Sequence, residues 1–282
     1  MGRGERVAKQ ALTKGKRSES VPLRSSRLPA IALLFALGGC SEGVSVPAPL
    51  PSDPPPAQNQ LVDAPVPLPS PWPRVLGKPG RLAESFQRDL SDWKDVREDA
   101  HSYAWLYPGR WVTTPQGLLH DEIMRPPALS FRRYAGKAFG TPDGELPARY
   151  RVQLTVTPIA AHPQNFPPVG DLGIPVYYLD PLHYVEVVFK PETLEIWACD
   201  GGLPMKWRGW HPLYETPMPT RANQARRLLA EVDTEAGMLT VSVDGTVVTS
   251  VRHGMIQPIS HFFALRATGN RMRISELRLE SY

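Results

Sequence analysis

The chain predicts an all-β sandwich or barrel from about residue 78 to its end at Tyr282, and three observations carry that prediction. Short apolar alternations recur between Gly, Pro, Asn and Asp from Lys78 onward, no stretch sustains a helical period, and Val243-Asp244-Gly245-Thr246 sets Asp-Gly between β-branched runs. Alternation with period two makes a strand buried on one side, and Asp-Gly favours a type I′ hairpin.

The predicted strands, in order, are Arg81 to Gln87, Trp111 to Thr113, Leu129 to Arg132, Tyr150 to Thr157, Val176 to Leu179, His183 to Phe189, Leu194 to Cys199, Ala225 to Asp233, Leu239 to Val243, Thr246 to Val251, His261 to Ala267 and Arg273 to Leu279. Lys190-Pro191-Glu192-Thr193 closes a second hairpin. Near the end Met272 and Ile274 alternate, then Leu277 and Leu279 do so one residue out of phase, which a β-bulge at Ser275 or Glu276 repairs.

The N-terminal part has a different character. Residues 1–39 carry eight basic residues (Arg3, Arg6, Lys9, Lys14, Lys16, Arg17, Arg24 and Arg27) against Glu5 and Glu19, and then the apolar run Leu28-Pro29-Ala30-Ile31-Ala32-Leu33-Leu34-Phe35-Ala36-Leu37-Gly38-Gly39-Cys40. That run is short of the roughly 20 apolar residues that span a bilayer. With its basic leader it resembles a bacterial lipoprotein signal, and Leu37-Gly38-Gly39-Cys40 resembles the lipobox. The resemblance implies cleavage before Cys40, a diacylglycerol on its sulfur and a place in the bacterial cell envelope. Ser41, rather than Asp, after the cysteine points by the same resemblance to the outer membrane. The alternative is a secretory signal whose cleavage falls beside a cysteine.

Removing those eight basic and two acidic residues from 32 and 28 leaves 24 against 26, so the alkaline pI belongs to the leader. A nucleic-acid partner therefore has no support in the remainder. Residues 40–77 hold eleven prolines between Pro47 and Pro73 and read as an extended stalk of about 3.1 Å per residue. The organisation expected is thus a signal over 1–39, a linker over 40–77 and a domain over 78–282, the last long enough for one core and expected as a monomer. Cys199 is the only cysteine besides Cys40. If Cys40 is lipidated, no disulfide forms within the chain, and Cys199 in its Trp-Ala-Cys run reads as a small buried hydrophobe.

Four patterns resemble the concanavalin A-like lectin/glucanase superfamily over Leu82 to Tyr282. They are Phe86 and Trp93 with Gly109-Arg110-Trp111-Val112 and Gly117-Leu118; Leu172-Gly173-Ile174 with Tyr178, Asp180-Pro181 and Tyr184-Val185-Glu186-Val187; Leu229 to Val243 with Asp244-Gly245; and Phe263-Ala264-Leu265 with Ile274 to Leu279. Tyr177 stands where the superfamily often has arginine. The resemblance implies two antiparallel sheets in a jelly-roll sandwich. It does not by itself fix activity, since the superfamily holds lectins, glycosidases and adhesion modules. The Glu-x-Asp-x-x-Glu strand of its glucanases does not occur in this chain.

Two constellations carry candidate chemistry. If Phe189 pairs with Leu194, Val187 with Ile196 and Val185 with Ala198, those six side chains face the core, and Tyr184, Glu186, Glu195, Trp197 and Cys199 share the opposite face. Glu186 and Glu195 then become diagonal neighbours, a placement compatible with the carboxyl pair of a retaining glycosidase. The alternative is a solvated outer face with Tyr184 and Trp197 packing under a loop. In the loop from Met205 to Tyr214, Trp207, Trp210 and Tyr214 lie beside Arg208 and His211, with Asp200 just before. Aromatic faces stack on sugar C–H faces while Arg, His and acids bond the hydroxyls, so these six residues are candidates for carbohydrate binding; equally, the tryptophans can fold back onto a sheet edge.

No metal-ligand spacing links His101, His120, His162, His183, His211, His253 and His261, and no cofactor motif occurs. Asp171, Asp180 and Asp200 are loop acids, but no consecutive oxygen-ligand run makes a calcium loop of them. The sequence thus favours a lipid-anchored envelope protein whose sandwich binds glycan without catalysis. The alternatives are a glycoside hydrolase, resembling the jelly-roll domains of keto-disaccharide hydrolysis with Glu186 and Glu195 as its carboxylates, and a structural or adhesion module that binds protein.

Overall fold

A computed structural model describes residues 76–98, 103–124, 128–161, 172–204, 206 and 208–282. The signal, Cys40, Asp171 and nearly all of the stalk lie outside the described residues, and so does Trp207. Fifteen strands follow in order: β1 Arg81–Glu84, β2 Trp93–Asp95, β3 Trp111–Thr114, β4 Gly117–His120, β5 Ser130–Tyr134, β6 Arg149–Ala161, β7 Leu172–Asp180, β8 His183–Phe189, β9 Thr193–Asp200, β10 Trp210–Pro217, β11 Arg226–Asp233, β12 Met238–Val243, β13 Thr246–Arg252, β14 Ala264–Ala267 and β15 Asn270–Ser281. One 3₁₀ turn, Val96–Glu98, is the only helical element among the described residues.

The strands form two antiparallel layers. The first has the order β13-β12-β11-β6-β15-β4-β3, with β1 also on β15. In the second, β10-β9-β8-β7 is carried on by β14-β5-β2 through a bridge between Tyr178 and Phe262. This is an all-β, two-sheet antiparallel jelly-roll sandwich. The inward residues of both layers make the core: Tyr150, Val152, Leu154 and Val156 from β6, Leu228, Ala230 and Val232 from β11, and Val185, Val187, Phe189, Leu194, Ile196 and Ala198 from β8 and β9. Burying such side chains contributes roughly 1.5–3 kcal/mol each before entropy is counted.

Local features explain the register. Asp244 (φ 51°) and Gly245 (φ 86°) both adopt positive φ, as a type I′ turn between β12 and β13 demands. Pairing of β15 with β6 shifts between Ser275 and Arg278, and Glu276 has φ 54°, so a bulge restores the inward set Leu277 and Leu279 after Ile274. Two of the elements missing from the sequence prediction, β2 and β4, are short. A third, β10, carries Pro212 and Pro217, which an edge strand tolerates because its outer N–H groups need no partner.

Candidate functional site on the outer face of the second layer

Register brings the two candidate carboxylates and Trp197 to one surface. Val185 pairs with Ala198, Val187 with Ile196 and Phe189 with Leu194, so Tyr184, Glu186, Val188, Glu195, Trp197 and Cys199 turn away from the core. One cross-strand row runs Trp210, Cys199, Tyr184, Tyr178 and Phe262. Val96, Leu106, Leu129, Phe131, Tyr178, Tyr184, Cys199 and Ala264 form a second buried cluster here, and half-buried Tyr103, Trp105, Trp210 and Phe262 pack around it. The rings contact edge-on or tilted: Phe131 lies 5.6 Å from Tyr184 and 5.8 Å from Tyr178, and Tyr184 lies 5.9 Å from Trp210. Tyr103 and Trp105 stack at 5.1 Å. Each such pair adds about 0.5–1.5 kcal/mol beyond burial.

The two carboxylates predicted to be diagonal neighbours are so by register, Glu186 opposite Trp197 and Glu195 opposite Val188. Each is buried with its own cation. Glu186 accepts from Arg266 Nε at 2.7 Å and Nη2 at 3.1 Å. Gly173 on β7 leaves room for this pair, since a methyl there would overlap Arg266 Nη2 and Glu186 Oε2. Glu195 accepts from Lys190 Nζ and Trp197 Nε1, both at 2.6 Å, and from Thr193 Oγ1 at 2.9 Å. Burial alone would raise the Glu195 pKa, but these three donors outweigh it and hold the carboxyl below its ordinary value. Lys190 also lies over the Trp197 ring at 5.6 Å, and Arg133 over Phe262 at 4.2 Å.

The stretch from Met205 to Tyr214, read above as a loop, becomes edge strand β10 from Trp210 onward, and this separates its aromatics. Trp210 faces outward, 6.4 Å edge-on from Trp197, whereas Tyr214 pairs with Ile196 and packs on the core, its hydroxyl donating to Val248 O at 3.5 Å. His211 pairs with Ala198, is exposed and lies 6.0 Å from the buried His253; Arg208 is exposed in the turn before β10. Asp200, at the end of β9, faces His183. The His183 imidazole lies with Nδ1 3.0 Å from Asp180 Oδ2 and Nε2 3.8 Å from Asp200 Oδ1. Burial pushes the Cys199 thiol up to about 12, so it stays protonated and unreactive. Among the described residues no group of three or more His, Cys, Asp and Glu side chains is placed to hold a metal ion.

Sequence reasoning missed Tyr103, Trp105, Phe262, Lys190 and Arg266 as members of this surface. Lys190 was legible as a turn residue beside the hairpin. The others come from distant segments joined by topology, Glu186 and Arg266 being 80 residues apart.

No protein-family model and no curated protein matches the chain. Among solved structures it is similar to a carbohydrate-binding module from Bacillus subtilis, at 14% identity and TM-score 0.46, covering 67% of this chain and 96% of that one. It is also similar to an alginate lyase from Pseudomonas aeruginosa (14% identity, TM-score 0.42, 69% and 100% covered) and a proposed glycosyl hydrolase from Parabacteroides distasonis (9%, 0.44, 72% and 94%). Likeness at this level assigns no activity to the chain.

Proposed function

We propose that the sandwich binds a glycan on the outer face of its second layer, and that a lipid on Cys40 holds it at the bacterial cell envelope. One observation carries the binding reading: five half-buried aromatic rings, Tyr103, Trp105, Trp197, Trp210 and Phe262, sit on or around one sheet face. Half-exposed rings of this kind offer flat apolar faces to sugar C–H groups, and Lys190 beside them offers N–H donors to hydroxyls. Arg208, exposed in the turn before β10, is assigned to the same proposed surface, and Trp207 beside it in sequence lies outside the described residues. What supports binding over hydrolysis is the state of the carboxylates. A glycosidase needs one carboxyl with a raised pKa to act as acid, whereas Glu195 is held low and Glu186 is engaged by a guanidinium.

The test is an array of immobilised glycans probed with the chain from Ser41 to Tyr282. A retained glycan whose binding drops at least tenfold in Trp210→Ala or Trp105→Ala is the expected result. No retained glycan, or binding indifferent to both substitutions, overturns the reading. Turnover of a chromogenic glycoside that vanishes in Glu195→Gln would return the hydrolase alternative, and capture of protein alone the adhesion one.

A further inference from the structure

We propose that His183 is a positioning residue for Trp210: clasped between Asp180 and Asp200, its imidazolium fixes the turn on which the Trp210 indole rests. The inference deepens the glycan reading and rests on it only for its functional consequence. Its geometry stands alone.

The connection is short. Asp180, His183 and Asp200 are cross-strand partners on β7, β8 and β9, so the charges meet by register. Asp180 Oδ1 also accepts Leu182 N at 2.6 Å, which fixes the β7–β8 turn, and Leu182 O in turn accepts Gly201 N at 2.8 Å and the Cys199 thiol at 3.2 Å. From Asp200 the backbone leads directly to Trp210: Asp200 N donates to Gly209 O at 2.7 Å, and Trp210 Nε1 donates to Leu203 O at 3.1 Å. The indole lies against Gly202, where a Cβ would stand 2.6 Å from Nε1. Gly201 (φ 71°) and Gly209 (φ 80°) hold left-handed conformations that favour glycine and give the turn this shape. Asp200 is thus the acid at the root of the turn, whose other charged residues are the exposed Lys206 and Arg208, and the His183 imidazole faces it.

Deprotonation removes that cation. A neutral imidazole keeps its Nδ1–H bond to Asp180 but no longer attracts Asp200. The hydrogen bond and charge of Asp180, with a further pull from Asp200, raise the His183 pKa above 6.5 despite burial. Below that raised pKa the clasp is charged, and it is lost as pH rises through it. Two other titratable groups face the same place: His253, from the end of β13, feels Asp200, and exposed His211 of β10 lies beside His253. His253 is pushed down to about 4 by burial, so it stays neutral over the range in which His183 titrates.

The experiment is 19F NMR of the Ser41–Tyr282 chain carrying 5-fluorotryptophan, with the Trp210 resonance assigned by Trp210→Phe. The expected result is a pH-dependent shift of that resonance with a midpoint above 6.5, absent in His183→Gln and moved to lower pH in Asp200→Asn. A Trp210 resonance that does not move between pH 5 and 9, or a titration that persists in His183→Gln and so belongs to another group, overturns the proposal. Asp200→Asn keeps the test decisive if His183→Gln does not fold. Binding on the glycan array at pH 6 and pH 8.5 is a separate readout, expected stronger at pH 6. A titrating Trp210 with no glycan bound removes the glycan reading and leaves the positioning role standing.

Discussion

Arg266 of β14 and Glu186 of β8 form a two-point ion pair on the outer face of the second layer, where both side chains are almost wholly buried. The pair ties β14 to β8 across β7, the strand that supplies Gly173 beneath it. It sits beside the aromatic row of Tyr178 and Tyr184, so the face on which a glycan is proposed to lie has an ionic joint at its base. Coulomb attraction in a buried site is large, but so is the desolvation each ion suffers, and the two nearly cancel. What the pair supplies is position: a guanidinium with two fixed N–H groups accepts one carboxylate geometry.

Removing one partner is expected to be far worse than removing both. Arg266→Met leaves a buried carboxylate without its guanidinium and should lower stability by about 3–5 kcal/mol in urea unfolding. Arg266→Met combined with Glu186→Leu should recover most of that loss. Gly173→Ala should destabilise without changing either charge, because its methyl displaces the pair. Equal, small effects in all three variants would mean that the pair does not order this face.

Trp210 and Tyr214 stand on opposite faces of one strand, and their variants should separate binding from stability. Trp210→Ala should weaken glycan retention while lowering unfolding free energy by only about 1–2 kcal/mol, since the ring is half-exposed and loses its edge contacts with Tyr184 and Trp197. Tyr214→Ala should cost roughly 2–3 kcal/mol and leave binding by the folded protein intact. The reverse pattern would place the binding surface on the other side of β10.

The hairpin of β8 and β9 was legible down to its register because its short turn, closed by Lys190 N donating to Thr193 O at 2.8 Å, fixes which residues face each other; burial could not have done so, since β8 is buried on both faces. The bulge beside Glu276 was legible as a break in phase of the inward set. β10 was not, since Gly209, Pro212 and Pro217 imitate a loop and its edge position is set by β9, not by its own pattern. The site was legible only in its local half. Glu186, Glu195, Trp197 and Trp210 lie on one hairpin and its neighbour, whereas Arg266, Tyr103 and Trp105 reach the same face through chain topology, on which local periodicity is silent.

Membrane attachment is expected to depend on one sulfur. In a bacterial host, the full chain should fractionate with membranes and incorporate labelled palmitate, and Cys40→Ala should abolish the label and shift the protein to the soluble fraction. Label that survives the substitution would exclude Cys40 as the anchor.

Acid should destabilise the sandwich through three buried imidazoles. Burial pushes His120, His253 and His261 down to about 4 from an ordinary 6.5. His261 is wedged between Tyr150 and Tyr177, with ring centroids at 5.3 and 4.8 Å, and its Nδ1–H donates to Ile259 O at 2.6 Å. Because each folded pKa is lower than its unfolded one, the unfolded chain takes up protons first as pH falls. Stability is therefore intact above 6.5 and declines progressively towards 4, by on the order of 3 kcal/mol for each fully expressed shift. His183 acts with the opposite sign: its raised pKa adds stability that is present below 6.5 and fades as pH rises through the folded value. Because the His183 contribution is already in place below 6.5, the three buried rings set the trend, and the melting temperature falls between pH 6.5 and pH 4.5. In His261→Gln, which cannot titrate there, the fall should be shallower even if the variant starts lower at pH 7. A melting temperature that stays level over that interval would show that the three rings take up protons in the folded state as readily as in the unfolded one.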